Sequence, residues 1–292
     1  MSSSSEPPCG GATTKTRGRL KGFFKKYFSK QTIITTLPDK GLAMGTLLAI
    51  LCFFLSTIAW DITLKLYFFF NRTHYTEFWN KFFKKMSHKS LFLARFYAGL
   101  KLDLTSGLRL PLPDRFIIVS NHQSLADIVS LVEAFPGHDL KFTAKKELKY
   151  GIPAVSVGLR RGRHAFLERS GGFKRTHNHL KRLARAQGRY LCPVVFAEGT
   201  RSRTGKLRKF QSAGLRILLE YSELPVLGVA VDGGYKIATL KDLFSKLKGL
   251  VYRVKPLKLY RHVKGKQEIQ TLLDSIHADI NRQLRQWRAQ KR

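Results

Sequence analysis

Acidic residues are scarce in this chain. Its 292 residues include 53 Lys and Arg but only 19 Asp and Glu, a formal net charge of +34. That shortage excludes a neutral soluble enzyme and demands polyanionic company: nucleic acid, an anionic membrane surface, or phosphorylated substrates and acidic carriers. Cysteine is rarer still. Cys9, Cys52 and Cys192 are odd in number, far apart and outside any metal-type spacing. They exclude a disulfide framework and a zinc site, and they place the main domain in a reducing compartment. No Gly-x-Ser-x-Gly segment occurs, which disfavours a serine hydrolase. His177 and His179 are two apart on a helical pattern and point to different faces, so metal hydrolysis is disfavoured as well. Apolar residues are not lacking. At 43% hydrophobic and 12% aromatic the chain is too apolar for a disordered basic tail, and its length suits one large domain with a sizeable core, alone or with an appendage.

From Gly41 to Trp60 the run GLAMGTLLAILCFFLSTIAW carries no charge. As a helix it rises about 30 Å, the thickness of a bilayer's hydrocarbon core. A buried core helix or a cleaved signal peptide is the alternative, but the run exceeds a usual signal core and lacks a small-x-small cleavage site. Lys21, Lys25, Lys26, Lys30 and Lys40 precede it, and Lys65, Arg72, Lys81, Lys84, Lys85 and Lys89 follow it. Positive flanks resist translocation, so an interfacial or re-entrant anchor with both flanks in the cytoplasm fits better than a clean span. Phe68, Phe69, Phe70, Phe78, Trp79, Phe82 and Phe83 among the lysines suit an interfacial extension or an ordinary buried aromatic face.

The composition divides the chain into three parts. Residues 1–35 predict a disordered basic arm, residues 36–98 the anchor and an amphipathic aromatic-basic helix, and residues 99–292 an α/β domain. The expected strands are Phe116–Val119, Lys141–Thr143, Ala165–Leu167, Val194–Ala197, Val226–Val231 and Val251–Leu259, separated mostly by helical patterns. Pro193 cannot donate in a central strand, so that strand is started after it. Ile269, Leu272, Leu273, Ile276, Ile280, Leu284 and Trp287 recur at spacings of three and four and predict a C-terminal amphipathic helix.

Three segments can do chemistry. In IIVSNHQSLADI an apolar strand stops at Ser120 and Asn121, His122 occupies the turn, and a helix begins near Ser124. Asp127 then returns over the first turn, where a carboxylate can bond one imidazole nitrogen and leave the other as a base. Ser124 to Asp127 also reads as a capping box, in which Asp127 only satisfies an orphan amide. In VVFAEGTRSRTGKLRKF a strand runs into Glu198, Gly199, Thr200, Arg201 and Ser202. Open amides, a hydroxyl and a guanidinium fork suit a phosphate monoester, and a polar turn with solvated arginines is the plainer alternative. In RRGRHAFLERSGG, Arg169 follows a third strand at the end where ligands gather in α/β sheets.

Taken together, these blocks resemble the lysophosphatidate and glycerolphosphate acyltransferase family, the bacterial PlsC type, over roughly residues 95–240. The resemblance implies a layered mixed sheet with surrounding helices behind an N-terminal hydrophobic anchor. It implies that His122 is the base and Asp127 its orienting carboxylate, with Asn121 beside them. Arg169, in a block with Phe166, Leu167 and Glu168, is implied to hold the acceptor phosphate, together with Glu198, Gly199, Thr200 and Arg201. Ala144–Pro153 is similar to the family's connecting segment. Departures are Arg163 for a glycine, Ala197 for a proline, Gln211 for a lysine and Gly228 for a second proline.

The expected activity is acyl transfer from acyl-CoA or an acyl carrier protein to the free hydroxyl of a lysophospholipid, 1-acylglycerol-3-phosphate first among them. Neither cofactor nor metal is expected. The expected location is a membrane, with the catalytic domain cytoplasmic, at the bacterial inner membrane, and the expected partners include anionic lipids. The competing class is a membrane-tethered nucleic-acid-binding protein using the basic arm and Lys174, Arg175, Lys181, Arg182 and Arg185, but no nucleic-acid module is recognised.

Overall fold

The computed structural model describes residues 40–104, 112–168, 172–237, 242 and 246–290. The basic arm of residues 1–35 lies outside them. The chain divides into two units, Met1–Trp60 and Asp61–Arg292. Helix α1 (Lys40–Phe70) contains the whole uncharged run and continues beyond it. Among the described residues no helix is long and apolar enough to cross a membrane, so a membrane-spanning form of the anchor is not found there.

In the second unit, helix α2 (Tyr75–Ala98) ends where Gly99 turns left-handed at φ 61° and its N–H returns to the Arg95 carbonyl. A seven-stranded sheet follows. Its strands are β1 (Lys101–Asp103), β2 (Ile117–Ser120), β3 (Asp139–Lys145), β4 (Ala165–Leu167), β5 (Leu191–Phe196), β6 (Val226–Asp232) and β7 (Val251–Tyr260). The order is β1-β7-β6-β2-β5-β3-β4. Among the described residues only β6 and β7 pair antiparallel. Helices α3 (Ala126–Ala134), α4 (Val155–Arg161), α5 (Phe173–Ala184), α6 (Ala213–Glu220) and α7 (Lys266–Ala289) complete the layers.

The near-continuous apolar strands follow from burial on both faces. Ile117 and Val119 of β2 join one core with Leu180, Leu218, Ile276 and Ile280 from α5, α6 and α7. Phe116 and Ile118, one residue out of phase, join the other with Leu91 and Leu131 from α2 and α3. The seven α7 residues expected to form its apolar stripe are all buried.

Two strand expectations need correction. β1 was not foreseen, because three residues reading Lys-Leu-Asp carry no periodic signal. β5 starts at Leu191 and contains Pro193. Its pairing with β2 begins only at Val194, so the missing N–H costs no bond to that neighbour.

The rings expected on one aromatic-basic helix fall on two, the end of α1 and the start of α2. Phe69 and Phe70 are 76% and 73% exposed, whereas Trp79 is buried. Gly158 and Gly162 on and just after α4 make room for it, since a Cβ on either would come within 2.4 Å of its ring. Trp79 and Phe83 both meet the edge of the His164 ring, and the Phe142 amide donates to His164 Nδ1. Burial, reinforced by the nearby charge of Lys141, pushes the His164 imidazole down to about 3 from its ordinary 6.5. As pH falls through about 6.5 the unfolded chain takes a proton that the folded one refuses, so stability is full above that pH and declines below it.

Urea titrations of the wild type and His164→Gln between about pH 4 and 6 should therefore diverge by about 1.4 kcal/mol per pH unit, with the wild type losing more as pH falls. A constant difference between the two proteins would show that His164 is not held neutral.

Candidate active site

In a parallel sheet the carboxyl ends of the strands lie together. Asn121 and His122 after β2, Glu198 after β5 and Asp232 at the end of β6 therefore share one rim. Because β7 runs opposite to β6, its beginning comes to the same rim, with Asp232 paired to Arg253 beside Tyr252.

His122 and Asp127 are in contact, Nδ1 to Oδ2 at 2.6 Å. Oδ2 also accepts the backbone N–H groups of Gln123 at 2.6 Å and Ser124 at 3.0 Å. Oδ1 accepts the Tyr252 hydroxyl. The aspartate therefore both orients the histidine and caps the turn. α3 starts only at Ala126, and the Ser124 hydroxyl accepts the Ala126 N–H.

A carboxylate can only accept, so Nδ1 must carry the imidazole proton and Nε2 is left with its lone pair. The ring lies flat on Phe196, with centroids 3.9 Å apart and planes 13° apart. The side chain keeps 14% exposure, while Asp127 has none. Burial first, then the Asp127 charge, holds the Tyr252 phenol well above its ordinary range, so it remains a donor. Gly234 is required here, because a Cβ would lie 2.9 Å from the Tyr252 oxygen and 3.0 Å from Asp127 Oδ1.

Two residues expected to meet substrate are occupied otherwise. The Asn121 amide is buried and bonds both the N–H and the carbonyl of Val231, each at 2.9 Å, tying the turn to β6. Glu198 is buried, with Oε1 on the His122 N–H and Oε2 on the Arg208 N–H. Desolvation shifts its carboxyl upward despite those two amides. Glu198 thus clips the loop after β5 onto the histidine, and the Ser202 N–H adds a bond to the His122 carbonyl at 2.7 Å.

That clip brings Thr200 and Arg201, both half-buried, beside the histidine turn. Gly199 makes the bend with φ 66°. Arg169 lies outside the described residues. Gln123 reaches Asp232 at 3.3 Å, and Arg288 of α7 bonds both Asp232 and the Gly205 carbonyl at 2.8 Å. Tyr252, Phe196, Gln123, Asp232 and Arg288 escaped sequence reasoning. Of these only Phe196 carried a local signal, as the last apolar residue before Glu-Gly-Thr-Arg.

Residues 106–232 match the protein-family model described as Acyltransferase. The 1-acyl-sn-glycerol-3-phosphate acyltransferase alpha of Ovis aries is 23% identical over 146 residues, 47% of this chain and 47% of its own length. The 1-acyl-sn-glycerol-3-phosphate acyltransferase of Saccharomyces cerevisiae is 29% identical over 153 residues, 52% of this chain and 50% of its own. The matched region thus spans about half the length of these curated relatives. The crystal structure of the 1-acyl-sn-glycerophosphate (LPA) acyltransferase PlsC from Thermotoga maritima superposes with a TM-score of 0.55 at 21% identity, over 80% of this chain and 96% of that one. The fold is shared, and the family resemblance read from the motifs is borne out.

The tautomer can be checked without any assay of activity. In the wild type, ¹⁵N chemical shifts should mark His122 Nδ1 as protonated and Nε2 as bare, and Asp127→Asn should abolish that preference. Tyr252→Phe strands a buried carboxylate oxygen and should lower stability by about 1–3 kcal/mol. An Nε2-protonated ring in the wild type would contradict the geometry.

Proposed function

We infer that this chain, whose residues 106–232 carry an acyltransferase-family domain, is an O-acyltransferase moving a fatty acyl group from a thioester to the free hydroxyl of a lysophospholipid. The observation that carries the reading is the contact of His122 Nδ1 with Asp127 Oδ2 at 2.6 Å, which leaves Nε2 to act as the base at the rim where the matching segments meet. Nε2 removes the proton of the glycerol hydroxyl. The oxygen attacks the thioester carbonyl, a tetrahedral intermediate forms, and the carbon–sulfur bond breaks. The imidazolium then returns the proton to the departing thiolate. Asp127 stabilises the imidazolium, Tyr252 and the two amides hold Asp127 still, and no acyl-enzyme or resident cofactor is required.

The preferred acceptor in this reading is 1-acylglycerol-3-phosphate, giving phosphatidic acid, the substrate class named by the relatives. Arg201, with Thr200 and Arg169, is assigned to the acceptor phosphate, leaving Glu198 and Asn121 to shape the loop. The enzyme works at a membrane with its catalytic domain cytoplasmic. The uncharged run and the exposed Phe69 and Phe70 provide an interfacial anchor, and the excess of Lys and Arg faces anionic lipid.

His122→Ala should reduce thiol release by about 10²- to 10⁴-fold in a protein that stays folded, with the melt lowered only by the lost bond to Asp127, about 1–3 kcal/mol, and an active, folded variant would remove the base from the mechanism. Arg201→Lys keeps the charge but loses the fork. It should lower kcat/KM for lysophosphatidate by about one to two decades and leave an unphosphorylated monoacylglycerol nearly unaffected. Equal losses on both acceptors would assign Arg201 to the fold or the thioester. Membrane association should survive high salt, because apolar burial persists after charges are screened, and release by salt alone would refute the anchor.

A further inference from the structure

A cavity of about 940 Å³ lies along the free edge of β4, away from His122. Lys149, Arg160, Arg161, Arg163 and Arg182 line it, with Tyr150 among them. Among the described residues no carboxylate lines it, and none of these five cations forms an ion pair. Their contacts are neutral. Arg160 reaches the Lys149 carbonyl and lies over the Tyr150 ring at 4.8 Å. Arg161 lies over Phe68 at 3.5 Å, Arg163 bonds the Gln187 carbonyl at 3.2 Å, and Arg182 meets His179 Nδ1 at 3.1 Å. So much like charge gathered without a counter-charge makes a positive field that favours an anion in the site.

The backbone adds a second, independent sign. Arg163 sits at φ 62°, a left-handed conformation that glycine adopts freely and a side chain adopts at a cost. The fold accepts that strain to hold a guanidinium at the cavity wall, and such outliers gather at ligand sites. Burial, Arg182 and Lys149 together hold the neighbouring His179 imidazole below its ordinary range, which registers the same positive field.

We propose that this cavity takes the phosphorylated nucleotide end of a coenzyme A thioester, so that the acyl donor is a coenzyme A ester rather than an acyl carrier protein. This rests on the acyl-transfer reading above. Several separated guanidinium groups match a 3′-phosphate and a diphosphate, and Tyr150, 65% exposed, offers a ring for adenine to stack on. The volume is that of a nucleotide-sized site.

The span is also right. His164 on the cavity wall, Phe142, Phe196 and His122 form a series of near-parallel rings with successive centroids 6.2, 6.1 and 3.9 Å apart. A pantetheine arm, equivalent to about four extended peptide units, covers roughly 15 Å, a comparable distance.

The intact chain, titrated calorimetrically with adenosine 3′,5′-bisphosphate, should bind it saturably and more weakly as salt rises. Arg163→Gly suits the left-handed backbone and should fold normally. It and Arg182→Gln should each weaken binding about tenfold. In turnover both should raise KM for acyl-CoA about tenfold at unchanged kcat, while an acyl-pantetheine donor, which has no nucleotide, is unaffected. Failure of the wild type to bind the nucleotide, or binding that neither variant weakens, overturns the proposal. Equal losses with both donors overturn it as well. So does loss of binding to anionic vesicles with nucleotide binding intact, which assigns the cavity to a lipid headgroup. Nucleotide binding that depends on Arg163, in a protein that consumes no thioester, would support the cavity and defeat the acyl-transfer reading instead.

Discussion

The buried carboxylate of Asp127 accepts four donors, and the elements that supply them are the ones whose positions matter most. Two are amides of its own turn, one is the His122 ring and one is a phenol from the opposite end of the sequence. A carboxylate stripped of water is costly unless its lone pairs are all used, so the turn, the histidine rotamer and the start of β7 are locked together. The sheet makes this possible. Parallel β2, β5 and β6 deliver their carboxyl ends to one rim, and β7, which runs opposite to them, brings Tyr252 back to it.

Around that carboxylate lies a shell of bonds with no chemistry of their own. Asn121 fastens the turn to β6, Glu198 fastens the loop after β5 to the His122 amide, and Arg288 carries α7 to Asp232 and Gly205. Together these bonds tie the loops of the rim to one another and to β6 and α7. The histidine ring is further confined by the flat face of Phe196. Confinement of this kind lowers the entropy lost when a base and a hydroxyl must meet, which is how a modest set of groups attains large rate factors.

Much of this was legible in the sequence. Short apolar runs placed six of the seven described strands, and spacings of three and four placed the buried face of α7, because strands buried on both sides and long amphipathic helices leave strong signals. The His122–Asp127 pairing followed from its spacing. Its two competing explanations, orienting group and cap, turned out to be one arrangement. What the sequence obscured has a physical reason in each case. Asn121 and Glu198 have the residue types of ligand contacts, and only the folded structure shows their atoms spent on backbone groups. Tyr252 is 125 positions from Asp127, and no local pattern links them. Pro193 set the expected start of β5 at Val194, whereas the strand begins at Leu191 beside β3, through a pairing offset visible only once the sheet is assembled.

The central claim is a direct transfer driven by His122, without a covalent acyl-enzyme. Intact-protein mass spectrometry during turnover, on purified protein given an acyl thioester and a lysolipid panel headed by lysophosphatidate, addresses it most directly. The account predicts unmodified protein throughout, with one diacyl lipid formed for each thiol released. Accumulation of acylated protein, or thiol release without lipid product, would contradict it.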